Sequence, residues 1–205
     1  MRPLNETGMI CTANMGLILL AAGAARRFGG PKLVANLQGQ PLLHHPAATL
    51  SAFPFASRIV VSTGEQQDLG RFGFTCVSPP EKSEALAQSI MAGMMALDLV
   101  KLDSVMIALG DMPFITPAHI EQLIENFNGS AVASTSQGTP QPPAIFGRSR
   151  FPELLELQGD QGAKDMLRDA PLVKASAEVL MDVDTPEDLA VAEAILLGKP
   201  ASCRS

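Results

Sequence analysis

A three-layer α/β domain built on a mostly parallel sheet is what this sequence predicts, and three observations carry the prediction. Apolar runs of strand length alternate with helical segments along the chain, the order that places helices on both faces of a parallel sheet. Two of the runs, 16–22 and 104–109, contain no charged residue, as suits strands buried on both faces. Hydrophobic residues make up 46% and charged residues 18% of 205 residues, enough for one sizeable core and too apolar for disorder.

The elements follow in order. The first strand is 16–22, ending in a loop rich in glycine and arginine. A helix over 41–50 opens on Pro41, and Pro46 interrupts it. Short strands are read at 58–62 and 74–77, then an Ala/Met-rich helix over 83–99 capped by Ser83. The strand 104–109 closes on Gly110-Asp111-Met112-Pro113. The clearest helix starts at Thr116 as N-cap with Pro117 in its first position and runs to Phe127, with apolar residues at 120, 123, 124 and 127. Strand 131–134, a loop over 138–143 and a strand at 144–146 come next. Short helices at 150–157 and 163–168 flank a Gly-Asp turn, and a last strand over 179–184 leads into a helix from Thr185 to Leu197. No repeat or linker divides the chain, so residues 15–198 are expected to form one domain, with 1–14 and 199–205 as flexible tails.

Charge and cysteine content narrow the function classes. Fifteen basic against 21 acidic residues give a net charge of −6, and no basic run exceeds Arg26-Arg27, so no nucleic-acid surface is expected. The three cysteines, Cys11, Cys76 and Cys203, show neither zinc-site nor disulfide spacing. The apolar run at 15–25 is short of the roughly 20 residues that span a bilayer. No membrane partner is expected, and the compartment expected is the cytoplasm.

In such a sheet, ligands sit beyond the carboxyl ends of the strands, and three loops there carry chemistry. In residues 20–32, LAAGAARRFGGPK, small residues let backbone N–H groups approach an anion while Arg26 and Lys32 supply charge, which suits a triphosphate. The loop is neither GxxxxGK[ST] nor GxGxxG. Asp111 closes a buried strand in a proline-stiffened turn, placed either to cap that turn or to ligate Mg2+ through oxygen. In Asp182-Val183-Asp184-Thr185-Pro186-Glu187-Asp188, the Thr-Pro-Glu-Asp portion is a helix start in its own right. Asp184, read as a strand end, is left over as a second metal carboxylate, with Asp182 as the other candidate. Of the remaining residues, His119 is expected at the surface, His44 and His45 face different directions, and Met91, Met94 and Met95 belong to the core or a dimer face.

Together LAAGxxRRFGxxK at 20–32, GDMPFIT at 110–116, PPAIFGR at 142–148, LQGDQGAK at 157–164 and DVDTPEDL at 182–189 resemble the MobA-like nucleotidyltransferases, in particular the molybdenum cofactor cytidylyltransferase branch. The resemblance spans nearly the whole chain. It implies a Rossmann-like nucleotidyltransferase fold and transfer of CMP from CTP to the phosphate of a molybdopterin-type acceptor, with release of pyrophosphate and Mg2+ as cofactor. It further implies Leu20, Ala21, Ala22 and Gly23 against the nucleotide base, and Arg26, Lys32 and Asp111 as catalytic residues. Asp184 would join Asp111 on the metal. Gln88 and Ser89 would lie near the base or ribose, although Glu84 and Ala85 stand where the family usually carries a glycine. Pro143, Ala144, Gly159, Asp160 and Gly162 would line the acceptor side, and a molybdoenzyme would be a downstream partner. The cytidylyl branch reads LAAG where the guanylyl branch reads LAGG, so Ala22 implies CTP. The rival readings are a guanylyl or sugar-phosphate nucleotidyltransferase on the same fold, and a non-catalytic cofactor-delivery protein.

Overall fold

A computed structural model describes residues 12–23, 27–63, 69–80, 86–159 and 163–198. Alternation along the first strand sets the layers. In β1 (Met15–Ala21) every residue is buried, with Leu17 and Leu19 in one apolar cluster and Ile18 and Leu20 in another. Successive side chains of a strand point to opposite faces, so this one segment needs cover on both sides. α1 (His44–Ser51) and α3 (Pro117–Asn126) cover one face through Ala47, Leu50, Ile120, Leu123 and Ile124. α2 (Leu86–Met95) and α4 (Phe151–Leu155) cover the other through Ile90, Met94, Phe151 and Leu154.

The sheet has seven strands, which besides β1 are β4 (Ser57–Ser62), β5 (Thr75–Val77), β6 (Ser104–Leu109), β7 (Ala131–Thr135), β8 (Gln141–Gly147) and β9 (Leu172–Lys174). Their order is β5-β4-β1-β6-β8-β7-β9. β8 alone runs against its neighbours, antiparallel to β6 and β7; the other pairings are parallel. The expected mostly parallel α/β sheet is therefore present. From β1 the chain builds outward through β4 and β5, then returns to place β6 on the opposite side of β1. That reversal opens a crevice at the carboxyl ends of β1 and β6. Two glycines permit close approach there. A Cβ on Gly93 would lie 2.7 Å from Ile18, and one on Gly110 would lie 2.6 Å from Leu43 and 3.2 Å from the Leu20 carbonyl.

Five expectations need correction. The loop expected over 138–143 is shorter, because β8 starts at Gln141, which pairs with Ser134. Pro41 belongs not to a helix but to a small antiparallel hairpin of β2 (Asn36–Leu37) and β3 (Gln40–Pro41). α1 begins at His44, so Pro46 falls in its first turn, where a missing N–H costs nothing. α2 stops at Met95 rather than 99, because the chain turns to lay Leu97 and Leu102 on Gly16 of β1; Ser83 lies outside the described residues. Residues 179–184 form no strand: Leu180 and Val183 are buried three positions apart, off the two-residue strand period, and Val183 N–H reaches the Asp111 carbonyl at 3.0 Å. The strand on that side is β9, three residues with Val173 alone buried, too short to show a period. Finally, His119 is buried, not at the surface, since α3 turns it toward β7. The Thr116 cap of α3 is as expected, its hydroxyl accepting from His119 N–H. α5 (Pro186–Leu196) opens with a reciprocal capping box of Thr185 and Asp188. No described helix is long and apolar enough to cross a membrane.

Candidate active site

Three loops meet over the crevice. Gly110 N–H donates to the Leu20 carbonyl at 2.9 Å, tying the exit of β6 to that of β1. The next residue, Asp111, is held from the other side by Val183 N–H on its carbonyl. Asp184 follows Val183 and is fixed by its own N–H donating to Asp188 of the α5 cap at 3.2 Å. It is therefore placed by a helix cap, not a strand end, and the two carboxylates come together across 73 residues of sequence.

Between them stands Lys32, in a single 3-10 turn over Lys32–Val34. Its Nζ donates to Asp111 Oδ2 at 2.8 Å and to Asp184 Oδ1 at 2.7 Å. Burial works against the ammonium, but the carboxylates, Asp111 foremost, more than offset it and raise its pKa above the ordinary lysine value. Burial also pushes the Asp111 carboxyl up, opposed by Lys32 and reinforced by the charge of Asp182. Asp182 thus acts on the site through its field while Asp184 makes the contact. Asp111 is the more enclosed acid, its side chain 19% exposed against 39% for Asp184. Arg27 reaches Asp184 Oδ2 at 3.3 Å from an exposed position, a contact the sequence does not suggest. Arg26 lies outside the described residues.

Two cavities flank this cluster. A polar one of about 260 Å³ is lined by Leu20, Ala21, Ala22, Gly23, Lys32, Leu33, Leu86, Ser89, Leu109, Asp111 and Asp184. A larger one of about 470 Å³ is mostly apolar, its walls including Ile90, Ile107, Pro142, Ala144 and Phe146, with Lys164 at its edge. They abut at Leu20, Leu86 and Leu109. Of the candidate residues, Ser89 faces the polar cavity and Gln88, about 100° round the helix from it, does not. Ala144 faces the apolar cavity. Pro143 does not, and its carbonyl instead accepts from Ser134 Oγ. Gly159 lines neither cavity; its carbonyl accepts from Ala87 N–H at 3.4 Å, pinning the turn to α2. Asp160 and Gly162 lie outside the described residues.

The residues fit a divalent cation. Asp111 Oδ1 is buried without a hydrogen-bond partner among the described residues, and hard carboxylate oxygens are the donors Mg2+ takes. Among the described residues no group of three or more His, Cys, Asp and Glu could hold a metal, so a cation on Asp111 and Asp184 would complete its shell with water and phosphate oxygens.

Residues 17–178 match the MobA-like NTP transferase domain. The chain belongs to this family. As a MobA-like protein it is a nucleotidyltransferase, and its similarity to named relatives runs over most of its length. It is 28% identical to the purine catabolism protein PucB of Bacillus subtilis, over 83% of this chain and 92% of that protein. It is 27% identical to a probable molybdenum cofactor guanylyltransferase of Pyrococcus horikoshii over 76% of this chain and 82% of the relative. With the Escherichia coli molybdenum cofactor cytidylyltransferase the figures are 23%, 86% and 94%. Among solved structures, the homologue of Mycobacterium tuberculosis Rv0371c from Mycobacterium sp. strain JC1 superposes with a TM-score of 0.79 at 24% identity, covering 92% of this chain and 99% of that one. The manganese complex of Rv0371c itself superposes at 0.71 and 20% identity, over 86% and 96% of the two chains.

Proposed function

We propose that this MobA-like protein transfers CMP from CTP to the phosphate of a molybdopterin-type acceptor, releasing pyrophosphate. The observation that carries this reading is the convergence of Lys32, Asp111 and Asp184 on a cavity whose other wall is Leu20 to Gly23 and Ser89. A terminal phosphate of the acceptor is already deprotonated near neutral pH, so no dedicated base is needed; its oxygen bonds to the α-phosphorus as the bond to the bridging oxygen breaks and pyrophosphate leaves. The work of the protein is positioning and neutralising charge.

Lys32 brings a desolvated ammonium to the phosphates, and Arg26 and Arg27, from the same stretch of sequence, add positive charge. Asp111 and Asp184 would hold Mg2+, which supplies charge neutralisation on the phosphate oxygens. The backbone at Ala21 to Gly23 meets the base edge, with Leu20 beneath it, and Ser89 offers a hydroxyl from α2. The acceptor body occupies the apolar cavity against Ala144. The use of a second carboxylate and a buried lysine favours a catalyst over a delivery protein, because binding alone needs neither.

Ala22 supports CTP over GTP. Its methyl group lines the polar cavity and leaves less room for a two-ring purine, while neighbouring backbone groups can still pair with cytosine. Relatives named for either nucleotide exist, so kcat/KM for CTP and GTP, with Mg2+ and molybdopterin and pyrophosphate as readout, is the deciding measurement. The expected result is a CTP preference that Ala22→Gly relaxes. A wild-type GTP preference would overturn the cytidylyl reading, and no pyrophosphate with any NTP would overturn the catalytic one.

A further inference from the structure

The wall of the apolar cavity contains a break in the sheet that needs an explanation. Ala133 of β7 pairs with Ala144 of β8, but the next residue, Ser134, pairs with Gln141. Pro142 and Pro143 are thus extruded opposite a single step of β7. Neither proline has an N–H to give to a ladder, and an extra pair of residues bends the strand and re-aims its side chains. Pro142, Ala144 and Phe146 line the cavity at the ordinary two-residue alternation of a strand, and the re-aiming shows at Gln141, which lines the cavity beside its neighbour Pro142.

What fixes the extruded segment is a buried side-chain chain. Ser134 Oγ donates to the Pro143 carbonyl at 2.7 Å. A hydroxyl has one hydrogen, so with that hydrogen committed the same oxygen can only accept from His119 Nε2, 2.8 Å away. This assigns the proton of the neutral imidazole to Nε2. Nδ1 keeps a lone pair, and it is buried without a hydrogen-bond partner among the described residues. His119 is 3% and Ser134 0% exposed, so water does not compete for the chain. Histidine at this position is not needed for α3, whose cap uses only the backbone N–H of residue 119.

We propose that His119 and Ser134 are positioning residues for the acceptor: they hold the Pro142–Ala144 wall through the Pro143 carbonyl, from beneath the cavity and without touching the acceptor. This rests on the reading that the apolar cavity receives the acceptor. His119 lies on α3, across the sheet from α2 and Ser89, and neither His119 nor Ser134 lines the polar cavity, so the nucleotide side should be affected less than the acceptor side.

The test separates acceptor from nucleotide. With CTP, Mg2+ and molybdopterin, Ser134→Ala should raise the KM for molybdopterin roughly tenfold, the scale of one hydrogen bond left unmade in the interior, while the KM for CTP stays within about twofold. His119→Leu should raise it less, because Ser134 can still donate. His119→Gln, whose amide can again donate to Ser134, should restore the wild-type value. An equal rise in both KM values, or unchanged kinetics in Ser134→Ala, would overturn the proposal. Imidazole nitrogen NMR of the full-length protein gives a readout that needs no acceptor: His119 should be the Nε2–H tautomer, shifting its resonance in Ser134→Ala. An Nδ1–H tautomer would overturn the proposal even if molybdopterin is turned over. A wild-type protein inactive with molybdopterin but carrying the Nε2–H tautomer would refute the choice of acceptor; the same KM split must then appear with whichever phosphorylated acceptor supports pyrophosphate release, and its absence there overturns the proposal.

Discussion

The two cavities share three leucines and little else. On one side of Leu20, Leu86 and Leu109, charge is concentrated, with an ammonium between two carboxylates within 2.8 Å of each. On the other side the space is nearly twice as large and its walls are mostly carbon. The difference teaches how a transferase of this kind divides its labour. On the proposed reading the charged side meets the triphosphate, a group every NTP has, and works by electrostatics that a low-dielectric setting strengthens. On the same reading the apolar side meets the variable partner and works by shape, where each methylene changes binding by only about 1–3 kcal/mol.

Removing charge from the first side should therefore cost far more than reshaping the second. Asp111→Asn takes away the more enclosed carboxylate and should lower kcat more than roughly a hundredfold, on the scale of losing one preorganised electrostatic group. The fold should survive, because Lys32 keeps Asp184. Asp184→Asn should act in the same direction but less severely, since that side chain is twice as exposed and also faces Arg27. Steady-state pyrophosphate release at saturating Mg2+, with circular dichroism as the folding control, checks both. Near-normal turnover in Asp111→Asn would make the cluster a structural ion pair.

Lys32→Ala is the next largest. If the ammonium meets charge that grows in the transition state, kcat should fall by roughly tenfold or more while the KM for CTP changes less. A raised KM with kcat untouched would place Lys32 in ground-state binding. The variant should also bind Mn2+ more tightly without nucleotide, because the lysine no longer occupies the space between the carboxylates; titration followed by electron paramagnetic resonance reads this directly.

These two sides also differ in how much of them the sequence exposes. Lys32 and Asp111 are legible because each follows an uncharged strand, where an ionisable residue has no packing reason to be. The position of Asp184 is legible too, yet for a wrong local reason: it is set by the Thr185 cap and the Val183 contact, not by a strand. The apolar cavity is a different matter. Its wall depends on a two-residue irregularity between β7 and β8, and nothing in Pro142-Pro143 states which strand they will be extruded from. The buried His119 shows the same limit, since the helical pattern of α3 marks 120, 123 and 124 as inward and leaves 119 at the margin, where only contact with β7 decides. The sheet itself was readable where strands are long and uncharged, as in β1 and β6, and unreadable at β9, where three residues carry no period.

Lys164 sharpens the comparison, being the charged residue at the rim of the apolar cavity. It is exposed and has no ion-pair partner among the described residues. Lys164→Ala should raise the KM for an anionic acceptor by about three- to tenfold, leave the KM for CTP in place, and lose its effect as salt is raised. An effect on CTP instead would mean that the nucleotide, not the acceptor, extends into this space.

The smallest expected effect is on stability and its pH dependence. Burial holds the His119 pKa below the ordinary imidazole value. Near pH 6.5 the unfolded chain therefore binds more protons than the native one, and stability rises with pH through that window. The contribution of neutral His119 is present in full above about pH 6.5 and is lost as pH falls from there toward the lowered native pKa. Protonation would add a hydrogen at Nδ1, where no acceptor waits, so the native state has no means of compensating by a new bond. The melting temperature should drop between pH 7.5 and pH 5.5 in the wild type, and His119→Gln, which does not titrate but can keep the bond to Ser134, should drop by less over the same interval. An identical drop in both proteins would assign the acid sensitivity to other groups and leave His119 without a titrating role.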